Sequence, residues 1–179
     1  MLQKMKLRSA VEQVLHAPGN YRGGILEMAI VFDCNISKKT AMETAKELVT
    51  TLKQQSEVFR NVRLNTIQWR SDGEMIKEIT PMVYLQTGKY FEGYERNQEE
   101  KRLEILTEQL KKFYARSKLI IVLTDDKFRV REQVALEESF KPFLKKKLIF
   151  IKLDEEIRVV EIERCVNSKS LFEIEEKRT

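Results

Sequence analysis

Residues 25–39 read ILEMAIVFDCNISKK, and this stretch decides the fold. Met28 to Phe32 carries no polar residue, which suits a central strand buried on both faces. The run closes on Asp33, and Cys34-Asn35-Ile36-Ser37 leads directly into helical sequence. Thr40 followed by Glu43 fits a capping box, so a helix is expected to begin within a few residues of Asp33. Oxygen-bearing side chains thereby stand on a strand-to-helix turn, the place where open α/β sheets bind ligands.

Working outward, helical spacing of Ala41, Met42, Ala45, Leu48, Val49 and Leu52 predicts a helix over about 39–57. Val62 to Trp69 reads as a strand whose alternation slips between Leu64 and Ile67, the mark of a bulge or a twist. Ser71-Asp72-Gly73 is a hairpin signal, with Glu74–Ile79 returning antiparallel at a sheet edge. Pro81–Asn97 is a long connection carrying Tyr84, Tyr90, Phe91 and Tyr94. It is either a functional loop or one pinned by its own aromatic cluster. A helix over about 98–115, an apolar strand Leu119–Leu123 and a helix over about 129–145 follow. A third buried strand, Leu148–Leu153, ends at Asp154. The tail, 155–179, has apolar patches at Ile157–Ile162 and Leu171–Ile174 that fit a hairpin or a helix and a strand.

Before the first strand, Met1–Ala17 has the pattern of a short amphipathic helix, closed by Pro18-Gly19-Asn20. The expected organisation is an N-terminal helical arm, 1–24, and one domain, 25–179, with its core in 25–154 and an extension in 155–179. The fold class expected is α/β: a three-layer, doubly wound, mostly parallel sheet with one antiparallel edge strand.

Composition narrows the chemistry. The 179 residues carry a net charge of +5, with lysines and glutamates interleaved. That permits an acidic partner without demanding one. Cys34 and Cys165 make no metal spacing and no disulfide framework, which points to a reducing, cytoplasmic setting. No apolar signal core and no membrane-spanning run is present in the sequence. His16 is the single histidine, so a histidine-rich zinc site is excluded and a Ser-His-Asp triad would have to use it. Lys111-Lys112 and Lys145-Lys146-Lys147 lack an aromatic-basic stripe, so they read first as solvated helix ends, with weak nucleic-acid binding as an alternative function.

Asp33, Asp125 and Asp154 each close a strand, and crossover handedness brings the ends of parallel strands to one rim. Hard oxygen ligands there suit Mg²⁺ or Mn²⁺. Together, VFDCNIS before a helix, VLTDD before another and the edge hairpin resemble a von Willebrand factor A domain, over roughly residues 25–154. The resemblance implies a degenerate metal-ion-dependent adhesion site. Asp33 and Ser37 match its first loop, Asn35 replaces a serine and Asp125 matches its last aspartate; Thr87 is the candidate for its threonine, while alignment by Gly93 puts Tyr94-Glu95 there instead. It further implies a non-enzymatic scaffold module that binds a protein partner, often an ATPase or a multiprotein complex, with Mg²⁺ or Mn²⁺ or with no ion. Asp33 and Ser37 acting only as caps, with Asp125 capping its own helix, is the competing structural explanation. An enzyme resembling haloacid dehalogenase-type phosphohydrolases is the alternative. It would use Asp33 as nucleophile and Asp125-Asp126 as its acidic pair, but Asn35 cannot supply that chemistry's general acid.

Overall fold

The computed structural model describes residues 25–54, 62–143, 147–153 and 158–161. The expected arm 1–24 with His16, the helix end at 55–57, Asp154 and Cys165 lie outside the described residues. The protein is an α/β three-layer fold. Its strands are β1 (Leu26–Asp33), β2 (Val62–Ser71), β3 (Glu74–Ile79), β4 (Leu119–Thr124), β5 (Lys147–Lys152) and β6 (Arg158–Glu161). They form a sheet in the order β3-β2-β1-β4-β5-β6. β2, β1, β4 and β5 run parallel, and β3 returns antiparallel on β2 through the hairpin at Gly73, whose φ is 80°. The antiparallel edge strand is where the sequence places it. A second one, β6, closes the opposite edge against β5. The connection 153–157 is too short for the crossover that a parallel neighbour requires, so the strand must return antiparallel.

The helices are α1 (Lys38–Gln54), α2 (Met82–Thr87), α3 (Leu103–Tyr114) and α4 (Gln133–Phe140). One core joins Met28, Ile30 and Phe32 of β1 to Ala41, Ala45, Leu48, Val49 and Leu52 of α1. The other joins Ala29 and Val31 to Leu103, Leu106 and Leu110 of α3 and Leu136 of α4. β1 therefore alternates between two dry interiors, which is why its sequence is apolar without interruption. Each fully buried leucine or isoleucine contributes about 1.5–3 kcal/mol.

Several boundaries differ from the sequence pattern for local reasons. α1 is capped by Ser37, whose hydroxyl accepts the Thr40 N–H at 3.2 Å, so Thr40 lies inside the first turn and does not start a box with Glu43. β2 and β1 stay in register from Leu26–Val62 to Asp33–Trp69. The slip in β2 reflects burial of both faces at Thr66–Trp69, and the irregularity sits later, between Trp69 and Ser71. α3 begins at Leu103 because Lys101 and Arg102 are held extended. Arg102 bridges Arg129, and Lys101 C=O accepts the Arg129 N–H at 2.8 Å. α4 is shorter than expected, and Pro142 stands in a 3-10 turn, Lys141–Phe143, that follows it.

Candidate functional site

β1 and β4 are parallel neighbours paired through Phe32 and Leu123. One residue further, at the carboxyl ends of both strands, the Thr124 hydroxyl donates to Asp33 Oδ2 at 2.7 Å. The same hydroxyl accepts the Asp126 N–H at 2.9 Å, so it links the two strand ends. Asp33 Oδ1 accepts the Asn35 N–H at 3.0 Å, which folds the β1–α1 turn back on its own carboxylate. Asp125 follows at the same rim, with its Oδ1 accepting the Lys127 N–H at 3.2 Å. That bond closes a local turn and does not cap α4, which starts eight residues later at Gln133.

The centre of the cluster is a lysine. Lys101 Nζ lies 2.8 Å from Asp33 Oδ1, both side chains being 1% exposed, and donates to Asn35 Oδ1 at 2.9 Å. The Glu99 carbonyl stands 3.5 Å from it, and the Trp69 ring centroid 5.5 Å away. The ammonium thus has a carboxylate, two neutral oxygens and an aromatic face, which is what a buried cation needs. Its backbone is clamped as well. Asp72, in the β2–β3 turn, accepts the Arg102 N–H at 2.8 Å and the Arg102 Nε–H at 3.1 Å.

The connection 81–97 builds the wall of this site. It is not an open loop: α2 and a 3-10 turn, Lys89–Gly93, fill it, and Tyr90, Phe91 and Tyr94 pack around Phe32. Tyr94 donates its hydroxyl to Ile36 C=O at 2.8 Å, and Arg96 its Nε–H to Asn35 C=O at 2.8 Å. The Asn97 N–H reaches Cys34 C=O at 2.7 Å. The strand-to-helix turn is therefore strapped from above by the segment that delivers Lys101.

Burial and repulsion from Asp33 push the Asp125 carboxyl above the usual carboxylate range, against a smaller pull from Lys127 and Lys101. Burial likewise raises the Cys34 thiol to about 11. Tyr94 is pushed up by burial beyond the ordinary tyrosine range. Beside this cluster stands a second buried ion pair, Lys152 Nζ with Asp126 Oδ2 at 3.7 Å. Asp126 holds a left-handed backbone with φ 66°.

Of the five residues proposed as metal ligands, Asp33, Asn35 and Asp125 come together at one rim. Ser37 spends its hydroxyl on the first turn of α1 and on Thr40 Oγ1. Thr87 is exposed at the end of α2, where its hydroxyl accepts the Lys89 N–H at 3.4 Å. The threonine that touches Asp33 is Thr124. Lys101 is not legible as a site residue in the sequence, since Gln98-Glu99-Glu100-Lys101-Arg102 has the look of a solvated helix start. Lys38, Lys39 and Lys127, which flank the ligands in sequence, are exposed.

The arrangement does not fit a divalent ion. Mg²⁺ requires oxygens at about 2.0–2.1 Å in a near-octahedral shell. Here the Lys101 ammonium stands between the two oxygens that would lead such a shell. Two like unit charges about 4 Å apart repel by about 4 kcal/mol at an effective dielectric of 20, and a divalent ion doubles that. Among the described residues, no group of three or more His, Cys, Asp or Glu side chains is placed to hold a metal.

The fold and site define an α/β chain with a cation-filled acidic cluster at the carboxyl rim of its central strands. Comparison of the chain with protein-family models, curated proteins and solved structures finds no match among any of the three. No described helix is long and apolar enough to cross a membrane.

Proposed function

We propose that this chain is a non-enzymatic interaction module of von Willebrand factor A type, which docks a protein partner on the rim around Asp33, Asn35 and Asp125. In this function the ion pair is the rigid floor of the binding face, and the exposed Lys38, Lys39, Arg96 and Lys127 are its contact surface. The partner expected is a component of a multiprotein complex, such as an ATPase assembly, in a cytoplasmic setting.

The observation that carries this proposal is the commitment of Asp33. One oxygen serves Lys101 and the Asn35 N–H, the other serves Thr124, and the side chain is 1% exposed. A carboxylate so engaged and so withdrawn from solvent is not presented to a substrate, which weighs against the phosphohydrolase alternative. The antiparallel hairpin at one sheet edge is among the features on which the resemblance rests, and it supports the proposal.

A photo-crosslinking side chain at Lys39 or Lys127, compared with one at Lys118 before β4, tests the surface in the native host. One discrete partner crosslinked from the rim positions and not from Lys118 supports it. Equal crosslinking from both ends counts against it. Turnover of a generic phosphoester that Asp33→Asn abolishes would replace it with the enzyme.

A further inference from the structure

We propose that Lys101 is the resident cation of the acidic cluster, standing where a divalent ion would otherwise bind. The native chain then neither needs nor takes a metal there, and one substitution is enough to open a metal site. This inference stands on the contact geometry and does not require the interaction function.

Three observations carry it. First, the Nζ contacts are those of a bound cation and not of a surface lysine. A carboxylate oxygen at 2.8 Å, an amide oxygen at 2.9 Å and a peptide carbonyl at 3.5 Å surround an ammonium on a side chain that is 1% exposed. Second, Asn35 presents its oxygen to the ammonium, since an ammonium has three donors and no acceptor. The same amide oxygen is a hard ligand once the ammonium is gone. Third, delivery of Lys101 is built into the fold. The Arg102–Arg129 bridge, the Asp72 clasp on Arg102 and the Arg129 N–H on Lys101 C=O fix the backbone that carries the side chain.

Shortening Lys101 leaves Asp33 without its counter-charge beside Asn35 and the nearby Asp125, in a cavity of about the volume of the lost side chain. The Asp33 carboxylate and the Asn35 amide oxygen, with Asp125 adding negative charge at the same rim and water completing the shell, suit Mn²⁺ or Mg²⁺.

The test is titration of Mn²⁺ followed by electron paramagnetic resonance, with thermal melting in Mn²⁺ and in chelator. It compares wild type, Lys101→Ala and the double variant Lys101→Ala/Asp33→Asn. The expected result is no stoichiometric Mn²⁺ on wild type and a melting temperature indifferent to chelator. Lys101→Ala should bind one Mn²⁺ per chain and melt higher with it, and the double variant should lose both effects. Wild type binding Mn²⁺ as tightly as Lys101→Ala, or folded Lys101→Ala binding none, overturns the proposal. Should Lys101→Ala not fold with or without ion, reductive methylation of the wild-type chain decides. Lys101 that stays unmodified with and without millimolar Mn²⁺ supports a fixed ammonium. Lys101 that becomes reactive when Mn²⁺ is added shows an ion taking its place, and sinks the idea.

Discussion

Lys101 Nζ and Asp33 Oδ1 are 2.8 Å apart, both on side chains withdrawn from water. The pair joins the segment before α3 to the end of β1, and it converts a rim that resembles a metal site into a closed, neutralised one. Desolvating two charges is expensive, and the Asn35 amide oxygen, the Asn35 N–H and the Thr124 hydroxyl offset that cost with further hydrogen bonds to the pair. Stability near this rim is therefore sensitive to single substitutions that look conservative.

Thr124→Val keeps the shape of the side chain and removes the hydroxyl. It strips a donor from Asp33 Oδ2 and an acceptor from the Asp126 N–H, both buried. Chemical denaturation should show a loss of about 1–3 kcal/mol. A loss under about 0.5 kcal/mol, the scatter of ordinary surface changes, would mean that the hydroxyl does not join the strand ends.

Asp125→Asn should raise stability at neutral pH. The folded chain holds the Asp125 proton more tightly than the unfolded chain does, because of burial first and Asp33 second. Ionised Asp125 thus weakens the fold at pH values above its raised folded pKa, and the weakening disappears as pH falls below the unfolded value of about 3.9. The melting temperature of Asp125→Asn should exceed that of wild type at pH 7, and the two should converge toward pH 4. A variant that melts lower than wild type at pH 7 would show Asp125 to be a stabilising anion.

Cys34 should be silent as a nucleophile. Its side chain is fully buried, its Sγ stands 3.7 Å from Phe32 C=O, and its thiol is raised to about 11 by burial. Iodoacetamide at pH 8 followed by peptide mass mapping should find the Cys34 peptide unlabelled in the native chain and labelled in denaturant. Native labelling at the rate of a free thiol would require an opening of the β1–α1 turn that the Tyr94 and Asn97 straps forbid.

Much of the architecture is legible in the residues themselves. Met28–Phe32 and Leu119–Leu123 announce strands buried on both faces, and they are adjacent in the sheet. Ser71-Asp72-Gly73 announces the hairpin, because the turn needs the left-handed backbone that Gly73 adopts. The cluster is half legible. Asp33 and Asp125 each close an apolar strand and meet because those strands are neighbours, and Asn35 stands on the turn that Asp33 opens, whereas Thr87 uses its hydroxyl locally. Lys101 is opaque for a physical reason. A lysine within a run of glutamates and arginine carries no local mark of burial, and its partner is distant in sequence, at the end of β1. The aromatic run before it is the nearest signal. Tyr90, Phe91 and Tyr94 bury that segment against Phe32, and a segment so anchored carries its following residues over the end of β1.

The most direct test of the account is a double-mutant cycle of Asp33→Asn and Lys101→Met, measured by urea unfolding at pH 7. Each single change strands a buried charge and should cost about 3–5 kcal/mol, while the double variant should cost at least about 2 kcal/mol less than the sum of the two. Single effects that add to within about 0.5 kcal/mol would mean that the two side chains do not form a buried pair, and the cation-filled site would be contradicted.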